Sequence, residues 1–246
     1  MNFPPSQTVV QATDPAALAQ ALAPLEAGER LRLLYRQFGA RLVATTSFGL
    51  QAAVMLHLIA EHAPKVPVVF IDTGFLFPET YRYAELLTSR LDLDLRIYQP
   101  TVSAARIQAL WGELWQDGKA GADRYALLTK IEPMNRALRE LGGDVWLSGL
   151  RRSQSKTRAD RPLAEQQKAT LKVYPILDWS DAQMEAYFQA FDLPAHPLAA
   201  HGYVTMGDWH STQPVTAADD VESTRFGGTK YECGLHLDSG TPDFQI

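Results

Sequence analysis

The only cysteine among the 246 residues is Cys233. It stands in RFGGTKYECGLHLDSG, residues 225–240, with Arg225, Lys230 and His236 close by in sequence. Positive neighbours lower a thiol pKa, and the thiolate is the nucleophilic form. A lone cysteine is otherwise an inert, buried small hydrophobe. The polar, glycine-flanked setting argues for reactivity here, although the adjacent Glu232 opposes it if its carboxylate faces the sulfur. A second segment, GLRRSQSKTRADR at 149–161, carries Arg151, Arg152, Lys156, Arg158 and Arg161. These are five of the 23 Lys and Arg in 11 positions, where an even spread would place about one. Guanidinium forks match phosphate and sulfate oxygens bidentately. A solvated face would mix signs, whereas Asp160 is the single acid in this run. The segment reads as an anion clamp.

Two further segments have the form of strand exits. In TTSFGLQA, residues 45–52, hydroxyl residues and a glycine precede a helical pattern. Backbone N–H groups at such a helix start bind anions, which makes Ser47, Phe48 and Gly49 candidate ligand contacts. A plain strand–turn–helix with a serine cap fits this segment equally well. In IDTGFLFPETY, residues 71–81, Asp72 ends an apolar run, Gly74 permits a tight turn and Pro78 opens a helix. Main-chain groups at Asp72, Thr73 and Gly74 could read an adenine edge, or the segment is only a structural turn. His196, His201, Asp208 and His210 match no standard metal-ligand spacing, so no metal site is expected.

The elements that must position these residues alternate between strand and helix. Strands are expected over Leu42–Ser47, Val66–Asp72, Leu93–Tyr98 and Val145–Leu150, with Lys172–Leu177 as a fifth, edge strand. Helices are expected over Gln51–His62, Pro78–Arg90, Lys130–Leu141 and Asp181–Phe191. Asp14 to Phe38 is also helical, capped by Asp14 with Pro15 following, and split near Pro24 and Gly28. Alternation implies an α/β fold with a doubly wound, mostly parallel sheet. Ligands of such sheets sit at the carboxyl ends of strands, which is where the candidate segments fall. The chain divides into an N-terminal helical segment at 1–40, a nucleotide-binding α/β domain at 41–198, and a C-terminal tail at 199–246. The tail carries the cysteine and is expected to be extended or partly mobile.

Composition is that of an ordinary globular chain, 46% hydrophobic and 21% charged. A net charge of -5 offers no global attraction for nucleic acid or an acidic membrane. The longest apolar stretch, Ala52 to Ala60, is interrupted by His57 and too short to span a bilayer. The first 15 residues lack the pattern of a secretory signal, and one cysteine permits no intramolecular disulfide, so a reducing cytoplasmic setting is expected.

Taken together, the segments resemble the phosphoadenylyl-sulfate (PAPS) reductase family of assimilatory sulfur metabolism. The likeness runs over about residues 40–237, with family patterns at Ser47, Asp72, Glu132 (EPMNRAL), Gly149 and Lys230, and ECGLH at 232–236 as the most specific. The resemblance implies an adenine-nucleotide α-hydrolase-like fold and a two-stage reaction. The Cys233 thiolate attacks the sulfonate sulfur and becomes an S-sulfonate, and thioredoxin or glutaredoxin then releases sulfite. It implies catalytic roles for Cys233, Lys230 and His236, substrate contacts from Arg151, Arg152, Arg158 and Arg225, and a homodimer. Gly227-Gly228 is a natural hinge, because the sulfur must meet first a substrate and then a protein reductant. Iron–sulfur members of the larger superfamily carry a Cys-Cys pair and a later Cys-x-x-Cys. Those places hold Tyr125-Ala126 and Asp208 with Ser211 here, so no iron–sulfur cluster and no bound cofactor are expected.

Two other readings stay open at this level. An adenylating enzyme on the same fold would need a Ser-Gly-Gly-x-Asp-Ser loop, and Ser47-Phe48-Gly49-Leu50-Gln51-Ala52 lacks its second glycine and its acid. A non-catalytic nucleotide sensor would retain the pocket but would give no reason for the basic setting of Cys233.

Overall fold

A computed structural model describes residues 14–155 and 158–215. Two N-terminal helices, α1 (Pro15–Leu22) and α2 (Ala27–Phe38), precede the sheet. Asp14 caps α1 by accepting the Ala16 N–H at 3.0 Å, beside Pro15, as the sequence suggests. Strands β1 (Leu42–Thr46), β2 (Val68–Ile71), β3 (Leu95–Tyr98) and β4 (Val145–Ser148) follow. They are joined by α3 (Ala52–His62), α4 (Pro78–Leu91), and then α5 (Ala104–Trp111), α6 (Gly118–Ala126) and α7 (Glu132–Leu141). Strands β5 (Ala164–Gln167) and β6 (Thr170–Val173) and helix α8 (Asp181–Ala190) complete the α/β unit.

The sheet order is β3-β2-β1-β4-β6-β5, parallel except for β5. The edge position expected of the Lys172 segment is therefore wrong. β6 is internal, and β5 pairs antiparallel outside it through a two-residue turn in which Lys168 has φ +53°. β5 reads Ala-Glu-Gln-Gln and is held by backbone pairing, so it has no apolar signature. The strands alternate in the direction of their side chains. Leu42, Ala44, Val68, Phe70, Val145, Leu147, Leu171 and Val173 share one core with α1, α2, α3 and α8. Val43, Val69 and Trp146 face the other way, against Met134 and Ala137 of α7. A third cluster joins Phe75 to Ile107, Leu114 and Tyr125.

α6 runs into α7 through a π-helical turn, Leu127–Ile131. Pro133 accounts for it: proline lacks the N–H that would bond the Thr129 carbonyl, and its ring would clash there in a regular helix. The stretch Ala199–Val215, expected to be extended, instead turns through two short 3-10 helices, Pro197–His201 and Trp209–Ser211. It buries Asp208, Ser211 and Thr212. Among the described residues no helix is long and apolar enough to cross a membrane.

Candidate active site

From β1 the chain winds outward to β2 and β3 and then returns to place β4 on the other side of β1. The loops leaving β1 and β4 therefore part in opposite directions, and the crevice between them is where doubly wound sheets bind ligands. Ser47 is exposed at the β1 exit. Phe48 has φ +48°, an unusual conformation for a side chain of that size, and its N–H donates to Thr46 Oγ1 at 3.0 Å. Its ring is fully buried and meets Phe70 edge-on at 4.9 Å. Phe48 can thus serve a ligand through main chain alone, while its ring anchors the turn in the core. Trp146 donates its indole N–H to Thr45 Oγ1 at 2.7 Å and ties the ends of β1 and β4 together.

The β4 exit carries the arginines. Arg151 is 1% exposed, and its guanidinium donates to Ser153 Oγ, the Trp179 carbonyl, Gln51 Oε1 and Asp181 Oδ1. It spans the crevice from β4 to the start of α3, with both Nη groups directed at protein atoms and its buried Nε without a partner among the described residues. Arg152 is half-buried and donates to the Arg161 carbonyl at 2.8 and 3.2 Å. Arg158 is half-buried and donates to Gln154 Oε1 at 2.7 Å. Of the five cations expected to form one clamp, Arg151, Arg152 and Arg158 follow the β4 exit with protein partners, and Arg161 turns to Glu165 and Tyr174. Lys156, Arg225, Lys230, Cys233 and His236 lie outside the described residues.

At the β2 exit Asp72 accepts from the Gly74 N–H at 2.9 Å, the Tyr81 hydroxyl at 2.6 Å and Gln99 Nε2 at 2.7 Å. Burial first, and then the Asp72 bond, push the Tyr81 hydroxyl pKa upward, so it stays a donor at neutral pH. Gly74 has φ +77°, and a Cβ there would stand 2.9 Å from the Ala104 Cβ. Gly74→Ala is expected to cost about 1–2 kcal/mol for the left-handed conformation and more for the contact, read as a lowered midpoint in urea unfolding. A cavity of about 200 Å³ beside Asp72, between β2, β3 and α4, is lined by Phe70, Tyr81, Leu95 and Ile97. It is smaller than the roughly 300–1,000 Å³ of small-molecule sites, so the crevice remains the candidate.

Thr73 faces away from the crevice into a buried polar cluster that sequence reasoning did not find. Its hydroxyl donates to Asp208 Oδ1 at 2.6 Å and accepts the Phe75 N–H at 3.2 Å. Lys130 Nζ, carried inward by the π turn, lies 2.7 Å from Asp208 Oδ2. Tyr125 packs over the same spot, and His210 stacks on Trp115 at 3.8 Å. Tyr125 and Asp208, which the family resemblance sets at the places of cluster cysteines, come together in space. An ionic and aromatic cluster fills that place. Burial raises the Asp208 pKa, but the Lys130 ammonium, with the Lys130 and Thr73 hydrogen bonds, outweighs it and holds the carboxyl below its ordinary value. Tyr81, Tyr125, Lys130 and His210 are the titratable groups facing it. Because the folded-state pKa lies below the unfolded one, the stabilisation is complete above about pH 4 and is lost as pH falls further. Asp208→Asn is therefore expected to lower stability by about 3 kcal/mol at neutral pH, leaving Lys130 buried without its counter-charge. The deficit relative to wild type should hold from about pH 8 to pH 5 and narrow below about pH 4, followed by urea unfolding.

Residues 41–214 match the family model of the phosphoadenosine phosphosulfate reductase domain. The chain belongs to this family. A phosphoadenosine 5′-phosphosulfate reductase of Synechococcus sp. is 51% identical over 203 residues, 82% of this chain and 88% of that relative. One of Photobacterium profundum is 45% identical over 228 residues, 93% of this chain and 90% of the relative. The crystal structure of phosphoadenylyl-sulfate (PAPS) reductase from Candida auris, a phosphate complex, superposes with a TM-score of 0.72 at 33% identity. It covers 83% of this chain and 99% of that one. FMN adenylyltransferase of Candida glabrata, at TM-score 0.57 and 14% identity, shares the fold alone. The family match spans the three strand exits and the buried cluster, and stops short of Cys233.

Proposed function

We propose that this chain reduces 3′-phosphoadenylyl sulfate to sulfite and adenosine 3′,5′-bisphosphate, with Cys233 as nucleophile and thioredoxin or glutaredoxin as electron donor. The observation that carries the reading is the coincidence of this family's nucleotide fold, with its arginine-framed crevice, and one cysteine set among cations in ECGLH. The Cys233 thiolate attacks sulfur and the S–O bond to phosphate breaks, leaving Cys S-sulfonate and the bisphosphate. A thioredoxin thiolate then attacks the cysteine sulfur, sulfite departs with the S–S bonding pair, and a mixed disulfide remains. The second thioredoxin thiol resolves it, so two electrons reach the substrate and thioredoxin leaves as the disulfide. Arg152 and Arg158, framed by Arg151, offset the charge of the departing phosphate, and Arg225, Lys230 and His236 accompany the thiolate. Ser47 and Gly49 offer main-chain and hydroxyl donors to the phosphosulfate from the turn that Phe48 anchors, and the Asp72–Gly74 turn faces the base. The enzyme acts in the cytoplasm as a homodimer, and the segment after residue 215 carries the cysteine.

Intact-mass spectrometry after incubation with substrate tests the reading. A single sulfonate adduct on Cys233 that disappears as thioredoxin is added and sulfite appears is the expected result. Sulfite production without an adduct would overturn the nucleophile, and no reaction with the substrate would overturn the activity.

A further inference from the structure

We infer that Asp208 is a positioning residue for the nucleotide site, orienting the β2 exit from behind through Thr73 while its charge is balanced by Lys130. The inference rests on the nucleotide reading above. Asp208 stands more than 130 residues from Thr73 in sequence, yet it joins three elements at one point. Its carboxylate takes the Thr73 hydroxyl at 2.6 Å and Lys130 Nζ at 2.7 Å. Its backbone bridges Leu76, and the next residue, Trp209, donates its N–H to the Phe75 carbonyl at 2.8 Å. The turn Thr73–Leu76 is thereby held on both its side-chain and main-chain groups. The one residue in it with a positive φ, Gly74, donates to Asp72 on the crevice side. Thr73 is bonded directly to Asp72, so a shift of Thr73 reaches Asp72 through their shared peptide group and, by way of the Gly74 N–H, its carboxylate.

The ionic form of this anchor is informative. Asp208 is 1% exposed, and the Lys130 side chain is 11% exposed. A buried ion pair is a poor way to gain stability, since apolar residues of similar volume usually do as well. What it supplies and an apolar contact cannot is direction. The carboxylate fixes which way the Thr73 hydroxyl points, and the hydroxyl in turn holds the Phe75 N–H. Thr73 is then committed as a donor to Asp208, and its part in the site is to shape the turn.

Two properties separate positioning from mere support: thermal midpoint and affinity for adenosine 3′,5′-bisphosphate, a ligand whose binding needs neither Cys233 nor a reductant. The double variant Lys130→Met/Asp208→Leu replaces the pair with apolar side chains. It is expected to melt near the wild-type temperature yet to bind the bisphosphate at least tenfold more weakly by calorimetric titration. Wild-type affinity in a stably folded double variant would overturn the inference. Should that variant not fold, Thr73→Val, which removes the hydroxyl link and leaves the Lys130–Asp208 pair in place, is titrated instead below its midpoint. A loss under twofold there would also overturn it. If the wild-type protein itself fails to bind the bisphosphate, the nucleotide reading falls and this inference with it.

Discussion

Cys233→Ser is expected to abolish sulfite formation while leaving the affinity for 3′-phosphoadenylyl sulfate unchanged. Attack on the sulfonate sulfur requires a thiolate, and a serine hydroxyl is neither ionised at neutral pH nor as nucleophilic. Removing a covalent nucleophile costs turnover by about 10³-fold or more. In the proposed reading, binding rests on other groups: the β1 and β2 exits and the arginines around Arg151, in the loops that leave the sheet. Turnover is measured as sulfite released with excess thioredoxin, and binding by calorimetry in its absence. Appreciable turnover by the serine variant would remove Cys233 from the mechanism. A parallel loss of affinity would mean that the thiol contributes to binding as well as to chemistry.

Strong preference for the 3′-phosphorylated nucleotide over plain adenylyl sulfate is the second large effect expected. By the family resemblance, Tyr125-Ala126 and Asp208 with Ser211 stand where relatives acting on the unphosphorylated substrate would carry cluster cysteines. In space, Tyr125 and Asp208 are already committed to the cluster around Lys130. Beyond Arg151 and Arg161, which hold Asp181 and Glu165, the basic run still brings Arg152, Lys156 and Arg158, and Arg225 and Lys230 add to them, more cations than one phosphosulfate needs. A 3′-phosphate brings nearly two further charges and three acceptor oxygens. At about 1.5–3 kcal/mol per charge-assisted hydrogen bond, engaging one of those cations gives roughly ten- to hundredfold discrimination. The measurement is kcat/KM for both nucleotides at one ionic strength with the same thioredoxin. Equal values would require the substrate assignment to be withdrawn.

The parts of the fold that local chemistry dictates were legible from the residues. Strands β1, β2, β3 and β4 were expected within two residues of their observed bounds, because β1, β2 and β4 are short apolar runs that end in turn signals and β3 alternates apolar with polar residues. The Asp14 cap, the split between α1 and α2, and the start of α4 at Pro78 follow from single-residue preferences. Strand β5 was not legible. Its partner is chosen by the backbone of β6, and Lys168-Ala169 carries none of the usual hairpin residues. Helices α5 and α6 were also missed, their short apolar faces being spent on a local cluster with Phe75.

The site divides in the same way. The sequence alone established which segments carry chemistry, since a basic run, glycine turns and one cysteine among cations are properties of neighbouring residues. The tertiary structure decided what each does. Arg151, an anion ligand by type, is the frame between β4 and α3 because Gln51 and Asp181 reach it first. Thr73 turns from the crevice to Asp208, and Lys130 is swung inward by a π turn that Pro133 imposes. The sequence singled out Asp208 for a cluster-cysteine place but not for this role, which it acquires only from partners 78 and 135 positions away. Periodicity and local preference act over a few residues, whereas the desolvation that makes an ion pair consequential is set by everything that packs around it.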